Sequence, residues 1–128
     1  MSTVLLAVAG AHLTGQPLNH QLTDRDAELV TTTTTSADYR LYALGTVPPK
    51  PGVVRVSSGG AALEVEVWRL STEAFGSFVA ALPHPMAIGS VSLVDGTLVS
   101  GFLVEPIALE TAEDITGFGS WRGYLASR

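Results

Sequence analysis

A short loop after the first apolar segment concentrates side chains that can exchange protons or contact an anion. Residues 8–22 read VAGAHLTGQPLNHQL and hold two of the three histidines of the chain, His12 and His20. A neutral imidazole can donate a hydrogen bond or exchange a proton near neutral pH. Backbone N–H groups at a turn such as that of Gly10 can converge on an anion without a basic side chain. The loop therefore predicts an anion-binding pocket with His12 as acid or polar contact, with a purely structural His12 as the alternative.

The backbone of this loop supplies the remaining predicted contacts. We expect the ligand to meet it at Gly10, Ala11, Leu13 and Gly15, because glycine turns expose N–H donors. His20 is expected to be structural. The predicted partner is thus a small anionic metabolite.

Two further groups of residues could serve the same chemistry. Glu64, Glu66 and Trp68 share one face of the segment ALEVEVWRL, residues 62–70, because side chains alternate along a strand. That face is either solvated, with an exposed tryptophan, or it lines a polar cavity with a carboxylate available as a base. Glu66 is the predicted substrate-binding residue of this face. Arg40, between tyrosines, is either a surface cation or a bidentate partner for an anionic substrate.

Composition excludes several other functions. The chain has no cysteine and a net charge of −5, which argues against thiolate chemistry, nucleic-acid binding and an anionic membrane. The histidines lack a third ligand at zinc spacing, and no nucleophile elbow, dinucleotide or phosphate-binding motif is present. We therefore expect no metal and no cofactor. The N-terminal apolar run is too short to span a membrane and lacks a basic start, so we predict a buried strand and a cytoplasmic protein.

The segments around these residues predict a single α+β domain over residues 1–128. Strands are expected at Thr3–Ala9, Ala27–Thr35, 39–44, 53–56 and 62–70, with an extended proline-rich connection at 47–52. Ser71 is a helix N-cap signal, and Asp95-Gly96 predicts a hairpin between Ala87–Val94 and Thr97–Val104. A short helix is expected at Trp121–Ala126. About seven short strands with few helices favour a small mixed β-barrel with short flanking helices.

Six blocks of the sequence, in one order, resemble the C-terminal domain of allophanate hydrolase. They are GAHLTGQPLNHQLTDR (10–25), ADYRLYAL (37–44), PPKPGVVRV (48–56), GGAALEVEVWRL (59–70), PHPMAIGSV (83–91), and GFLVE through DITGFGSWRGYL (101–125). The resemblance implies a gamma-glutamyl cyclotransferase-like fold, a small β-barrel flanked by short helices. Full-length allophanate hydrolases also carry an amidase domain, but none of the six blocks resembles it. The resemblance therefore assigns no amidase step to this chain.

The resemblance also implies an activity in allophanate and urea degradation. In the family this domain processes N-carboxycarbamate by loss of carbon dioxide. The histidine of the GAH block corresponds to His12, and the amides that follow correspond to Asn19 and Gln21. The tyrosine and arginine of the YRL block correspond to Tyr39 and Arg40. In this interpretation His12 is the proton donor, Asn19 and Gln21 orient the substrate, and Arg40 binds its carboxylate.

Two other functions stay open. The chain is either a non-catalytic binding or assembly module, acting as a homodimer or beside a partner amidase, or an enzyme similar to the gamma-glutamyl cyclotransferases. Cyclotransferases use a glutamate placed after the helix, whereas the matching segment AALPHPMAIGSV contains no carboxylate. Glu66 or Glu105 would have to substitute for it.

Overall fold

The computed structural model describes residues 2–47 and 49–128 and confirms an α+β architecture. Met1 and Pro48, which the predicted domain and the predicted connection include, lie outside the described residues. The strands are β1 (Thr3–Val8), β2 (Glu28–Thr34), β3 (Tyr39–Ala43), β4 (Pro51–Arg55), β5 (Glu64–Ser71), β6 (Met86–Ser92), β7 (Leu98–Val104) and β8 (Glu113–Asp114). The helices are α1 (His20–Thr23), α2 (Thr72–Ala80), α3 (Trp121–Ala126) and the 3₁₀ helices Pro106–Thr111 and Thr116–Phe118.

The strands form two sheets. The larger has the order β2-β5-β1-β7-β6, with β1 antiparallel to β5 and parallel to β7, and the smaller has the order β4-β3-β8. The outer strands of the larger sheet approach each other at one end, where Thr35 bridges Leu93 and the N–H of Ser36 donates to the carbonyl of Ser92 at 2.9 Å. The sheets do not close along their length, so "barrel" describes this fold only loosely.

The central strand β1 carries the core, as its apolar sequence predicts. Leu6 and Val8 are at most 1% exposed, and residues of β5, β7 and α3 pack around them. Of the two alternatives for this face of β5, the solvated face with an exposed tryptophan is wrong, because Trp68 is only 5% exposed and Glu66 beside it is 4% exposed. Strand β5 lies between β2 and β1, and groups from a loop and from α3 cover this face.

Local sequence signals placed several elements correctly. The Ser71 hydroxyl accepts the N–H of Ala74 at 3.0 Å and caps α2. Gly96, with φ of +87°, occupies the turn between β6 and β7, a conformation that glycine adopts without strain. The last helix begins and ends at the predicted residues, Trp121 and Ala126.

The proline-rich connection is shorter than predicted, because β4 already begins at Pro51, which pairs with Ala43. Strand β4 is an edge strand, and a proline at the first position of an edge strand removes no required hydrogen bond. In the described residues, no helix is both long enough and apolar enough to cross a membrane.

Candidate functional site

A cavity of about 160 Å³ opens between the loop after β1, the end of α2 and the first residues of β4. Four of the residues singled out in the sequence line it, namely Gly10, Ala11, His12 and Gln21. The other lining residues are Ala9, Leu18, Arg25, Lys50, Pro51, Val53, Phe78, Ala81, Leu82, Pro83, Met86 and Phe102.

The loop owes its shape to Gly10 and to local backbone hydrogen bonds. The N–H of Leu13 donates to the carbonyl of Gly10 at 3.0 Å, and the N–H of Leu18 donates to Ala11 at 2.9 Å. A β-carbon on Gly10 would lie 1.8 Å from Cγ of Pro51, so only glycine lets β4 approach this closely. This contact brings Lys50, next to Pro51, to the wall of the cavity.

His12 lies between two aromatic rings and one amide. Its ring stacks on Phe102 at 5.0 Å and packs tilted against Phe78 at 5.1 Å. Its Nε2 donates to Oε1 of Gln21 at 2.8 Å, which leaves Nδ1 as an acceptor. Burial lowers the pKa of His12 below its usual 6.5, and this outweighs the raising effect of the Gln21 hydrogen bond. The imidazole is therefore neutral at pH 7.

Backbone donors are also present at the cavity. Among the described residues, no carbonyl or side-chain acceptor pairs with the backbone N–H of Ala11 or of His12. Both residues line the cavity. The loop thus leaves two N–H groups unused by the fold, as an anion-binding turn requires.

The cations at the cavity are Lys50 and Arg25, and the sequence analysis missed both. Nη1 of Arg25 donates to the carbonyl of Gln21 at 3.0 Å, and Nη2 donates to Oγ of Ser77 at 3.1 Å. Its guanidinium lies 5.4 Å from the centroid of the Phe78 ring. Lys50 is half-buried, and within the described part of the chain its ammonium has no hydrogen-bond or ion-pair partner. Two features of the sequence could have pointed to these cations. Arg25 is the last residue of the GAHLTGQPLNHQLTDR block, and Lys50 is the sole lysine of the chain.

Three other predicted loop residues support the loop and do not line the cavity. Leu13 is fully buried in the core. Gly15 has a φ of +84° and turns the chain. Asn19 donates from Nδ2 to the carbonyl of His12 at 2.9 Å, which fixes the backbone of the residue that carries the imidazole. His20 is exposed, and its Nδ1 lies 3.0 Å from the carbonyl oxygen of Pro17.

Tyr39 and Arg40 also lie outside the cavity lining. The Tyr39 side chain is fully buried, and its hydroxyl accepts the N–H of Ser92 at 2.8 Å, which joins the two sheets. Arg40 is paired with Asp114 on the smaller sheet, where its Nε donates at 3.0 Å. The guanidinium predicted to bind a carboxylate therefore already holds one of the protein's own.

Glu66 is buried behind the loop and anchors it. Its Oε1 accepts the N–H and the hydroxyl of Thr14 at 2.8 and 3.0 Å, and the indole N–H of Trp68 at 3.2 Å. Arg122, on α3, donates to Oε2 of Glu66 at 3.3 Å and to the carbonyl of Thr14 at 2.6 Å. We call Glu66, Arg122 and Thr14 the loop anchor.

The cavity lining contains no carboxylate. Glu105 is exposed and lies 3.2 Å from Nδ1 of His84. In the described residues, no group of three or more histidine or carboxylate side chains could hold a metal ion. His12 is therefore the one histidine among the described lining residues, which otherwise carry the cations Arg25 and Lys50 and no carboxylate.

Comparison with known proteins identifies a family and several relatives. Residues 4–126 match the model of the allophanate hydrolase C-terminal domain. Urea amidolyase of Saccharomyces cerevisiae is 41% identical over 97% of this chain, which spans only 7% of that protein. The solved allophanate hydrolase of Kluyveromyces lactis is 40% identical with a TM-score of 0.94, over 99% of this chain and 22% of the other. A protein specific to uropathogenic E. coli is 36% identical with a TM-score of 0.92, over 100% and 99% of the two chains.

A more distant structure supports the fold alone. A gamma-glutamyl cyclotransferase superposes with a TM-score of 0.58 over 88% of this chain at 13% identity. The predicted cyclotransferase-like fold is thereby confirmed.

Proposed function

The chain belongs to the allophanate hydrolase C-terminal domain family, and from this premise we propose that its cavity binds a small carboxylated urea or carbamate and decarboxylates N-carboxycarbamate beside His12. The observation that carries the proposal is a half-buried histidine in a cavity lined by two cations and no carboxylate. Such a cavity attracts an anion and offers it one group able to supply a proton.

The charges at the cavity suit a dianion. Lys50 has an ammonium with no partner of its own among the described residues, and the backbone N–H groups of Ala11 and His12 add two donors. The guanidinium of Arg25 already donates hydrogen bonds to the Gln21 carbonyl and to the Ser77 hydroxyl. Arg25 therefore contributes its positive charge to the cavity more than free N–H donors. Two carboxylates a few ångströms apart can meet these groups together, whereas a neutral urea gains little from them.

The reaction needs one proton. When carbon dioxide leaves N-carboxycarbamate, the C–N bond breaks, its electron pair remains on nitrogen, and that nitrogen must be protonated to give carbamate. Burial lowers the pKa of His12 in the free protein, and the positive charges of Arg25 and Lys50 lower it further. A bound dianion offsets these charges and raises that pKa. His12 then takes up a proton with the ligand and donates it to the nitrogen.

The test generates the labile substrate in the assay. The amidase domain of an allophanate hydrolase cleaves allophanate, and the release of carbon dioxide is followed with and without this chain. We expect the chain to accelerate release and His12→Gln to abolish the acceleration. His20→Gln, an exposed control outside the cavity lining, keeps it. Equal release with and without the wild-type chain would contradict the decarboxylase proposal.

A non-catalytic role beside an amidase is the second candidate. It is favoured by the coverage of the relatives, because this chain spans 7% of the yeast urea amidolyase and 22% of the solved allophanate hydrolase. In this alternative the chain binds the same anions or forms a homodimer or a complex with an amidase, without acceleration in the assay above. A cyclotransferase activity is less favoured, since no carboxylate lines the cavity.

A further inference from the structure

Most of the cavity wall is apolar, which the proposed substrate does not explain. Its most buried apolar lining residues are Val53, Phe78 and Phe102, all at most 9% exposed. Leu18, Leu82 and Met86, which are half-buried, also line it. N-carboxycarbamate has no apolar atom to place against these side chains, so its binding alone leaves this wall facing water.

The size of the cavity sets the size of the missing group. Its volume is about 160 Å³, close to the roughly 150 Å³ of an engineered apolar cavity that accepts benzene. The cations and unused N–H groups described above adjoin this space, because His12 itself stacks on Phe102 and Arg25 lies over Phe78. Because these polar groups line the same space, the head and the apolar group must share its volume. An anionic head with an apolar group of up to about five carbons, as in hexanoate, suits a cavity of this size.

We propose that this cavity takes carboxylates or carbamates that carry an apolar substituent of up to about five carbon atoms. The carboxylate contacts Lys50 and the N–H groups at Ala11 and His12, and the substituent packs between Phe78, Phe102, Leu82 and Met86. The proposal rests on the proposed function for the position of the anionic head. It extends the substrate class from unsubstituted N-carboxycarbamate to N-alkyl and related carboxylates.

The chain-length dependence of binding tests this directly. Acetate, butyrate and hexanoate are titrated against the protein by calorimetry, with malonate as the dianion without a tail. Each methylene that enters the apolar space is expected to lower Kd about fourfold. Hexanoate then binds at least tenfold more tightly than acetate, and 1-hexanol, which lacks the head, binds more weakly than hexanoate.

A filling variant locates the effect in this cavity. Ala81 is exposed and lines the cavity, so Ala81→Leu places a larger side chain in the space without disturbing the core. Its control is Ala80→Leu, also exposed and outside the lining. We expect Ala81→Leu to weaken hexanoate at least fivefold with little effect on acetate, and Ala80→Leu to change neither.

The outcomes separate this proposal from the function on which it rests. Malonate binding with no increase in affinity from acetate to hexanoate overturns the apolar substituent and leaves the proposed function in place. Equal hexanoate affinity in Ala81→Leu and wild type also overturns it. Hexanoate and 1-hexanol binding without any malonate binding overturns the anionic head, and with it the proposed function.

Discussion

Oε1 of Glu66 accepts both the backbone N–H and the hydroxyl of Thr14, at 2.8 and 3.0 Å. Glu66 lies on β5, and Thr14 lies two residues after His12 in the cavity loop. A buried carboxylate therefore fixes the loop from behind, and Arg122 of α3 completes the loop anchor. The loop that presents His12 is held by the core and is not a free surface segment.

Substitution of Glu66 should loosen this loop. Glu66→Gln keeps the size and shape of the side chain but replaces one acceptor oxygen with an N–H₂ donor and removes the negative charge. Thr14 or Arg122 then loses its acceptor or gains a weaker one. We expect the free energy of unfolding to fall by about 2 kcal/mol. Malonate affinity should fall severalfold as the loop loosens. Glu64→Gln is the control, because the Glu64 side chain is 39% exposed and, among the described residues, Arg122 is its only side-chain partner. This substitution should cost less than about 1 kcal/mol. Equal effects of the two substitutions in urea unfolding would refute the loop anchor.

Gly10 should not tolerate a side chain. In Gly10→Ala the new methyl would meet Cγ of Pro51 at 1.8 Å, so either the loop or β4 must move. We expect a destabilisation of about 2 kcal/mol together with loss of malonate binding. Gly76→Ala is the control: nothing lies within 4 Å of its added Cβ, and it sits inside α2. That change should stabilise by about 0.5–1 kcal/mol, as thermal unfolding can measure.

His12 should make stability depend on pH in a defined window. Because its pKa is lower in the folded protein than its usual 6.5, the unfolded chain binds this proton first as the pH falls. The contribution of His12 to the free energy of unfolding is fully present above pH 6.5. Below that pH the free energy of unfolding decreases by at most about 1.4 kcal/mol per pH unit. Urea unfolding between pH 7.5 and 5.5 should show a shallower decrease for His12→Gln.

Three aspartates whose pKa values are lowered in the fold do not interfere in that window. The pKa values of Asp38, Asp95 and Asp114 are lowered from their usual 3.8, so their contributions are lost only at still lower pH. Parallel pH profiles of wild type and His12→Gln would show that His12 is not held neutral by the fold.

Substitutions of Lys50 and of Arg40 should differ in their effect on malonate binding. Lys50→Gln removes a charge at the cavity, and at an interaction of about 1 kcal/mol the Kd for malonate should rise about fivefold. Arg40→Gln breaks the pair with Asp114 on the smaller sheet, outside the cavity lining, and should leave the Kd unchanged. A loss of malonate affinity in Arg40→Gln and not in Lys50→Gln would restore the role that the sequence suggested for Arg40. Calorimetry at fixed salt makes the comparison.

Features that depend on residues close together in the chain were predicted from the sequence. The hairpin at Asp95-Gly96, the Ser71 cap and the helix Trp121–Ala126 follow from local backbone preferences. The place of His12 in the cavity follows from a turn that begins at Gly10. The two-residue strand β8 carries no periodic pattern and was not predicted.

Features that depend on contacts between residues far apart in the chain could not be predicted from the sequence. Lys50 reaches the cavity because β4 packs on Gly10, forty residues earlier in the chain. Glu66 alternates with buried residues on a strand, but only the covering loop and Arg122 decide that it is buried and fully hydrogen-bonded. Arg40 was a reasonable choice for an anion partner until the fold placed Asp114 beside it.

The most direct test of the proposed function is a titration of the His12 imidazole by NMR, with and without malonate. Without ligand, we expect its pKa to lie below 6.5, in accord with burial. Saturating malonate should raise that pKa by about one unit or more, with net proton uptake when the ligand binds near pH 6.5. The resonances of exposed His20 serve as the internal control. A His12 pKa that is unchanged by malonate would contradict the claim that this histidine meets the anion.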